Sequence, residues 1–346
     1  MKFLIAGFGS IGRRHLRNLL ALGERDILLY RSNHSTLPDD EIAGFPVETN
    51  LDAALAHHPD AVIISNPTAL HLDVAIPAAE AGCAILLEKP IADSMTRVVE
   101  LQASARRGKA SILVGYQFRF HPMLRRAAQL LAEGAIGNPV SARAHWGEYL
   151  PNWHPWEDYR QSYAARPDLG GGVILTLCHP FDYLRMLLGE VHSLWAFTSG
   201  GAIAGRGATT GRGGLDLPVE DAAEIGLCFT NNATSDVIAS VHLDYLQQPS
   251  THTLEIIGMG GTLRWDNADG ALSFFSAGGQ NWQVETPPDG FERNWLFLDE
   301  MRNFIAMARG EAGPACTLDD GIRALEIALA ARESAADGQR KLLRTA

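Results

Sequence analysis

One short run near the start of the chain constrains its fold more than any other. Gly7-Phe8-Gly9-Ser10-Ile11-Gly12 follows the apolar segment 2–6 and precedes residues 13–22, whose apolar side chains recur at helical spacing. A G-x-G-x-x-G motif means little alone. Between a strand and a helix it specifies a tight turn that delivers a pyrophosphate to a helix N-terminus. The first glycine permits the turn, the second admits the ligand close to the backbone, and the third lets helix and strand pack together. All six residues of the motif are therefore cofactor-binding candidates for a dinucleotide.

The pattern that follows agrees. Apolar runs at 26–30, 60–64, 84–87 and 111–114 alternate with helical patterns at 51–56, from 69 onward and at 94–107. Such alternation specifies a parallel, doubly wound α/β sheet. Ligands of these sheets bind beyond the carboxyl ends of the strands, so the residues just after each run matter most. The run 26–30 ends in Arg31-Ser32, where an NAD-selective fold places an acid for the ribose 2′-hydroxyl. Arg31 and Ser32 instead suit a 2′-phosphate, so NADP is expected ahead of NAD. Asn66 and Pro67 follow the run 60–64 and are expected on the nicotinamide side, with His71 a further cofactor-pocket candidate. Glu88-Lys89-Pro90 ends the run 84–87, and Gln117 lies just beyond 111–114. Both are expected to face the same crevice.

After residue 122 the pattern changes. A helix at 123–133 precedes a period-two strand at 139–146, an aromatic-rich loop at 150–167, Gly170-Gly171-Gly172, and an apolar helix at 173–188. Runs at 191–199, 222–230, 234–245, 251–258, 262–266 and 271–275 are close enough in sequence to form a large, mostly antiparallel open sheet. Two helices, 291–309 and 319–337, close the chain and are expected to pack back towards the first domain. The expected division is a Rossmann domain at 1–120 and an α+β domain at 121–346. The glycine-rich stretch 199–215 reads as a loop at the site or at a subunit interface, or as simple disorder.

Composition excludes several classes. A net charge of −11 argues against nucleic acid or an anionic membrane surface as partner. Four cysteines without CxxC spacing suit a reduced, cytoplasmic protein. No apolar run is long enough to span a bilayer. Histidine and carboxylate spacing suggests no metal site.

Taken together, Gly7–Gly12, Glu88-Lys89-Pro90, the stretch 115–120 and Gly170-Gly171-Gly172 with His179 and Asp182 resemble the Gfo/Idh/MocA family of NAD(P)-dependent oxidoreductases over nearly the whole chain. The resemblance implies hydride transfer between nicotinamide and a secondary hydroxyl or keto carbon of a sugar, cyclitol or sugar acid. It also implies assembly, as a homodimer or homotetramer, through the second sheet. The family's lysine falls on Lys89 and its histidine on His179. Where the family usually has an aspartate shortly before that histidine, this chain has Thr176, and Asp182 is expected to take over the role.

An alcohol oxidation needs a hydride acceptor, a base for the hydroxyl proton, and a group to steady the developing alkoxide. His179 suits the base, Lys89 the alkoxide, and Glu88 the positioning of Lys89 or of the nicotinamide carboxamide. Arg119, Trp153, His154, Tyr163, Thr176 and Asp182 are the substrate-side candidates. The aromatic ones form either a sugar-stacking wall or a packed cluster. Two other functions fit the same motifs: a non-catalytic dinucleotide sensor, for which Thr176 speaks, and a glycosidase that oxidises, eliminates and re-reduces.

Overall fold

The computed structural model describes residues 1–31, 42–200, 215–230 and 236–343. Ser32 and most of the glycine-rich stretch lie outside the described residues. The first elements are β1 (Phe3–Ala6), α1 (Ser10–Ala21), β2 (Ile27–Tyr30), β3 (Val47–Glu48), α2 (Leu51–Ala56), β4 (Ala61–Ile64), α3 (His71–Glu80), β5 (Ala84–Leu87), α4 (Val98–Gly108) and β6 (Ile112–Val114). Then come α5 (Pro122–Ala132), β7 (Pro139–Gly147), α6 (Val173–Thr176), α7 (His179–Leu188), β8 (Val191–Ser199), β9 (Ala222–Phe229) and β10 (Val237–Asp244). The last are β11 (Thr251–Gly258), β12 (Gly261–Asp266), β13 (Leu272–Ser276), β14 (Gln283–Glu285), α8 (Asn294–Ala308), α9 (Leu318–Asp337) and β15 (Lys341–Leu342).

The chain divides into two compact units. The first holds Met1–Gln117, Asp168–Gly170 and Glu292–Leu325; the second holds Phe118–Pro167, Gly171–Phe291 and Glu326–Ala346. A single cut at residue 120 misses this exchange of segments. Its physical cause in the first unit is α8, which packs on α1 and β5 and sets Phe304 edge-on to Phe3 at 6.4 Å.

The first unit is a six-stranded parallel sheet in the order β3-β2-β1-β4-β5-β6, the doubly wound sheet that the alternation predicts. Its central strands are apolar at every position and fully buried, as strands covered on both faces must be. The order reverses between β1 and β4, so the loops after these two strands flank the switch point, where such sheets bind ligands.

The second unit carries a mixed sheet in the order β14-β13-β12-β11-β7-β10-β9-β8-β15. Every pair is antiparallel except β7 with β10. That parallel pair is not legible from strand spacing, because the two strands are not neighbours in sequence. One face, with Ala142, Ala144, Trp146, Ile225, Leu227, Val241 and Leu243, is buried; α5, α6 and α7 contact the strands or one another. The other face carries Arg143, His145, Trp195, Phe197, Glu224 and His242.

The helix expected over 173–188 is two helices. Pro180 has no N–H to give the Thr176 carbonyl, and its ring crowds that carbonyl, so a helix arriving from Val173 cannot run through it. The first helix therefore stops at Thr176, and α7 begins at His179.

Candidate active site

In the first unit, each glycine of the motif has its own geometric reason. Gly7 has φ +92°, and a Cβ there would lie 2.3 Å from the Asn66 nitrogen. At Gly12 a Cβ would lie 2.2 Å from the Gly7 carbonyl oxygen and 2.8 Å from Ser65 Oγ. Around Gly9 a Cβ would meet nothing within 4 Å. The outer two glycines are required by the protein's own backbone, whereas the middle one faces open space. Gly9 is also the N-cap of α1, which has no side-chain cap and no acidic residue in its first turn. The first-turn N–H groups and the positive end of the helix dipole are thus left for an anion. A pyrophosphate fits these residues. Ser10 starts the helix, Ile11 is partly exposed, and Phe8 is buried with the Arg13 guanidinium 4.9 Å from its ring centre.

Arg31 is buried at the end of β2, at the position from which a residue meets the ribose 2′ group. After β4, Ser65 Oγ donates to the Gly7 carbonyl at 2.9 Å, and Asn66 Nδ2 donates to Leu70 O at 3.0 Å. Pro67 precedes the single turn Thr68–Leu70. His71 is buried with Nδ1 2.9 Å from Pro90 O and Nε2 3.0 Å from Asn66 O. Burial holds its pKa below the ordinary value, against the Glu88 charge and these carbonyls. A neutral imidazole donates to only one of the two carbonyls, so His71 lies between the loops after β4 and β5 and bonds one of them at a time.

Glu88 does not point freely into a crevice. Its Oε1 is 2.8 Å from Nε2 of His15, a fully buried α1 residue. Its Oε2 accepts the Lys89 N–H at 3.3 Å. Burial pushes the Glu88 carboxyl up, but the hydrogen bond and charge of His15, with Lys89 and His71, hold it below its ordinary value. Glu300 of α8 joins this group, with ligand atoms of His15, Glu88 and Glu300 all within 4.8 Å of one another. Burial first, and the Glu88 charge second, push Glu300 well above the carboxylate range. The same surroundings thus favour the charged form of Glu88 and the neutral form of Glu300. Sequence reasoning missed His15 and Glu300, because their value lies only in meeting Glu88 from three distant stretches. Lys89 is partly exposed, and its peptide bond to Pro90 is cis. Gln117 is buried.

In the second unit, His179 is buried on α7 beside Phe118 and Trp146, at ring distances of 5.1 and 5.3 Å. Trp146 also stacks on His252 at 4.2 Å, and Trp146 Nε1 donates to Glu148 Oε1 at 2.8 Å. Asp182 is held by Arg119, whose Nη2 donates to Oδ1 at 2.6 Å. Thr176 is buried near Tyr245, whose hydroxyl donates to Ala164 O at 3.3 Å. The loop before α6 is pinned as well. Gly172 has φ +109°, and Arg332 donates to the Gly171 carbonyl at 2.5 Å and to Glu220 Oε1 at 3.0 Å.

The expected aromatic wall divides. Trp153 packs edge-on against Tyr245 at 5.6 Å, as a core residue does, whereas His154 pairs at 5.2 Å with Trp156. Trp156 is 63 % exposed. Tyr163 begins a single turn of helix, and its carbonyl lies 2.5 Å from where a Gly171 Cβ would stand.

Comparison with known proteins agrees with this geometry. Residues 1–116 match the oxidoreductase family with an NAD-binding Rossmann fold, and residues 124–264 match the GFO/IDH/MocA C-terminal domain. The chain belongs to the Gfo/Idh/MocA family. As a member of it, the chain is an NAD(P)-dependent oxidoreductase acting on CH–OH groups. An uncharacterised oxidoreductase of Synechocystis sp. is 32 % identical over 263 residues, 72 % of this chain and 68 % of that one. The 1,5-anhydro-D-fructose reductase of Ensifer adhaerens is 28 % identical over 287 residues, 81 % of this chain and 78 % of that one. In fold, this Gfo/Idh/MocA chain is similar to levoglucosan dehydrogenase in complex with NADH and levoglucosan, with a TM-score of 0.85, 21 % identity and 100 % of each chain covered. Among the described residues, no helix is long and apolar enough to cross a membrane.

Proposed function

We propose that this oxidoreductase transfers a hydride between NADP, in preference to NAD, and a secondary hydroxyl or keto carbon of a sugar, cyclitol or sugar acid. The observation that carries the reading is the open space at Gly9, at an uncapped helix N-terminus on the same sheet edge that delivers Lys89. When bound, the nicotinamide supplies the hydride chemistry. The other work falls to this chain's own groups. His179 takes the hydroxyl proton. The Lys89 ammonium, its backbone set by Glu88 on His15, steadies the developing alkoxide. Arg31 meets the 2′-phosphate. Two relatives named for sugar-derived substrates support the substrate class.

Thr176 supports a site that works without the usual aspartate, since it is buried and carries no charge. Exposed Trp195, Phe197 and Ile238 on the open face of the second sheet support a homodimer or homotetramer formed there, and four cysteines outside any disulfide support a cytoplasmic setting.

A panel of aldoses, anhydrosugars, cyclitols and sugar acids, each offered with NAD and with NADP and followed by nicotinamide absorbance, tests the reading. Turnover of at least one of these with higher kcat/KM on NADP is expected. Tight dinucleotide binding without turnover across the panel would overturn it.

A further inference from the structure

On the second unit's sheet, cross-strand register assembles a group that no spacing in the sequence suggests. His242 of β10 stands opposite Glu224 of β9 on one side and His145 of β7 on the other. Asp244 lies two residues on and so shares the face of His242, as alternation requires. Directly opposed residues of neighbouring strands have Cβ atoms roughly 5 Å apart. One ring nitrogen each from His145 and His242 and one Asp244 oxygen all lie within 4.8 Å of one another. His242 Nε2 and Asp244 Oδ2 are 3.0 Å apart. Two ligands at about 2.0–2.2 Å from a tetrahedral zinc stand roughly 3.3 Å apart.

Each of the three side chains has a further hydrogen-bond partner. His242 Nδ1 bonds Glu224 Oε1 at 2.5 Å, which sets Nε2 towards Asp244. His145 Nε2 bonds Gln247 Oε1 at 2.5 Å. Asp244 Oδ1 accepts the Leu246 and Gln247 N–H groups at 2.7 and 2.6 Å, leaving Oδ2 on the His242 side. Carboxylate-backed histidine is the arrangement that metal-bound imidazoles carry. Space is kept beside the group by Gly147, where a Cβ would lie 2.3 Å from both Asp244 Oδ2 and Gln247 Oε1.

We propose that His145, His242 and Asp244 form a site for a divalent first-row transition ion, with zinc as the probe and Glu224 positioning His242. Two imidazoles and one carboxylate suit zinc, cobalt or nickel, not the oxygen-only preference of magnesium or calcium. The site lies on the sheet's open face and uses none of the residues assigned to hydride transfer.

The test uses the full chain, free of any affinity tag and stripped with chelator. Zinc is titrated by calorimetry and cobalt by its visible ligand-field bands. One ion per chain is expected, with micromolar or tighter affinity and cobalt bands of a nitrogen-and-oxygen site. His145→Gln and His242→Gln should each abolish stoichiometric binding, and Glu224→Gln should weaken it by roughly 10- to 100-fold. Melting curves and dinucleotide affinity of these variants, both expected to match the parent without metal, separate lost ligation from lost folding. Only weak, adventitious zinc binding in the parent, or equal binding in the histidine variants, would overturn the proposal.

Discussion

Arg119 closes on Asp182 through two of its nitrogens: Nε lies 3.0 and 2.9 Å from the two carboxylate oxygens, and Nη2 lies 2.6 Å from Oδ1. The Asp182 side chain is 1 % exposed and that of Arg119 12 %. The residue expected to replace the missing family aspartate is therefore engaged by a guanidinium, one turn along the helix from His179. Its carboxylate holds the second unit together whatever else it does.

Breaking that pair should be costly. Asp182→Asn keeps the shape but removes the charge opposite a nearly buried arginine, and a loss of about 3–5 kcal/mol is expected. Denaturant midpoints of the variant and parent measure it; a loss below about 1 kcal/mol, the value of an exposed pair, would show that solvent screens the contact.

Lys89→Ala and His179→Ala should each lower kcat by roughly 10²- to 10⁴-fold, the scale of a positioned proton-transfer or charge-stabilising group. Dinucleotide affinity should stay near the parent value, because the glycine loop and α1 are untouched. Full activity in both variants would remove the assignment.

The cofactor preference should rest on Arg31. Arg31→Asp removes a charge-assisted hydrogen bond worth about 1.5–3 kcal/mol, so the NADP dissociation constant should rise by roughly 10- to 100-fold, with NAD changed far less. An unaltered ratio of the two affinities, read by fluorescence titration, would assign the 2′ group to other residues.

Acid should destabilise the fold through His121. Burial pushes this imidazole down to about 4. The unfolded chain takes up the proton below about pH 6.5, whereas the folded chain resists until about pH 4. Stability is thus fully present above the unfolded value and falls between the two, by about 3 kcal/mol for this residue. His121→Phe should flatten that part of the profile; an unchanged slope would mean that other groups govern it.

Glu300 works in the opposite sense. Its folded pKa is raised, so its contribution is present below the unfolded carboxyl value of about 4.3 and declines as the pH climbs towards the folded value. Glu300→Gln, a neutral shape mimic, should make stability less sensitive to pH above the carboxyl range. An identical profile in variant and parent would show that Glu300 ionises beside Glu88.

Much of the first unit was legible because its signals are local. The three glycines of 7–12 stand at fixed spacing between one strand and one helix, and Lys89 follows from the end of one apolar run. Pro180 carried a legible signal too, a helix boundary that places His179 first in α7. The polar clusters were not legible. Glu88 meets His15 and Glu300 only after α1 and α8 pack beside β5.

Local signals encode the alternating strands and helices of the first unit, its glycine turn and the family to which the chain belongs. These depend on backbone conformations and periodicities that a few adjacent residues encode. Folding is what brings Arg119 to Asp182, Glu88 to His15, and His145 beside His242. Such partnerships depend on strand register and helix docking, which sum many weak contacts from residues far apart in the chain and leave no fixed spacing to read.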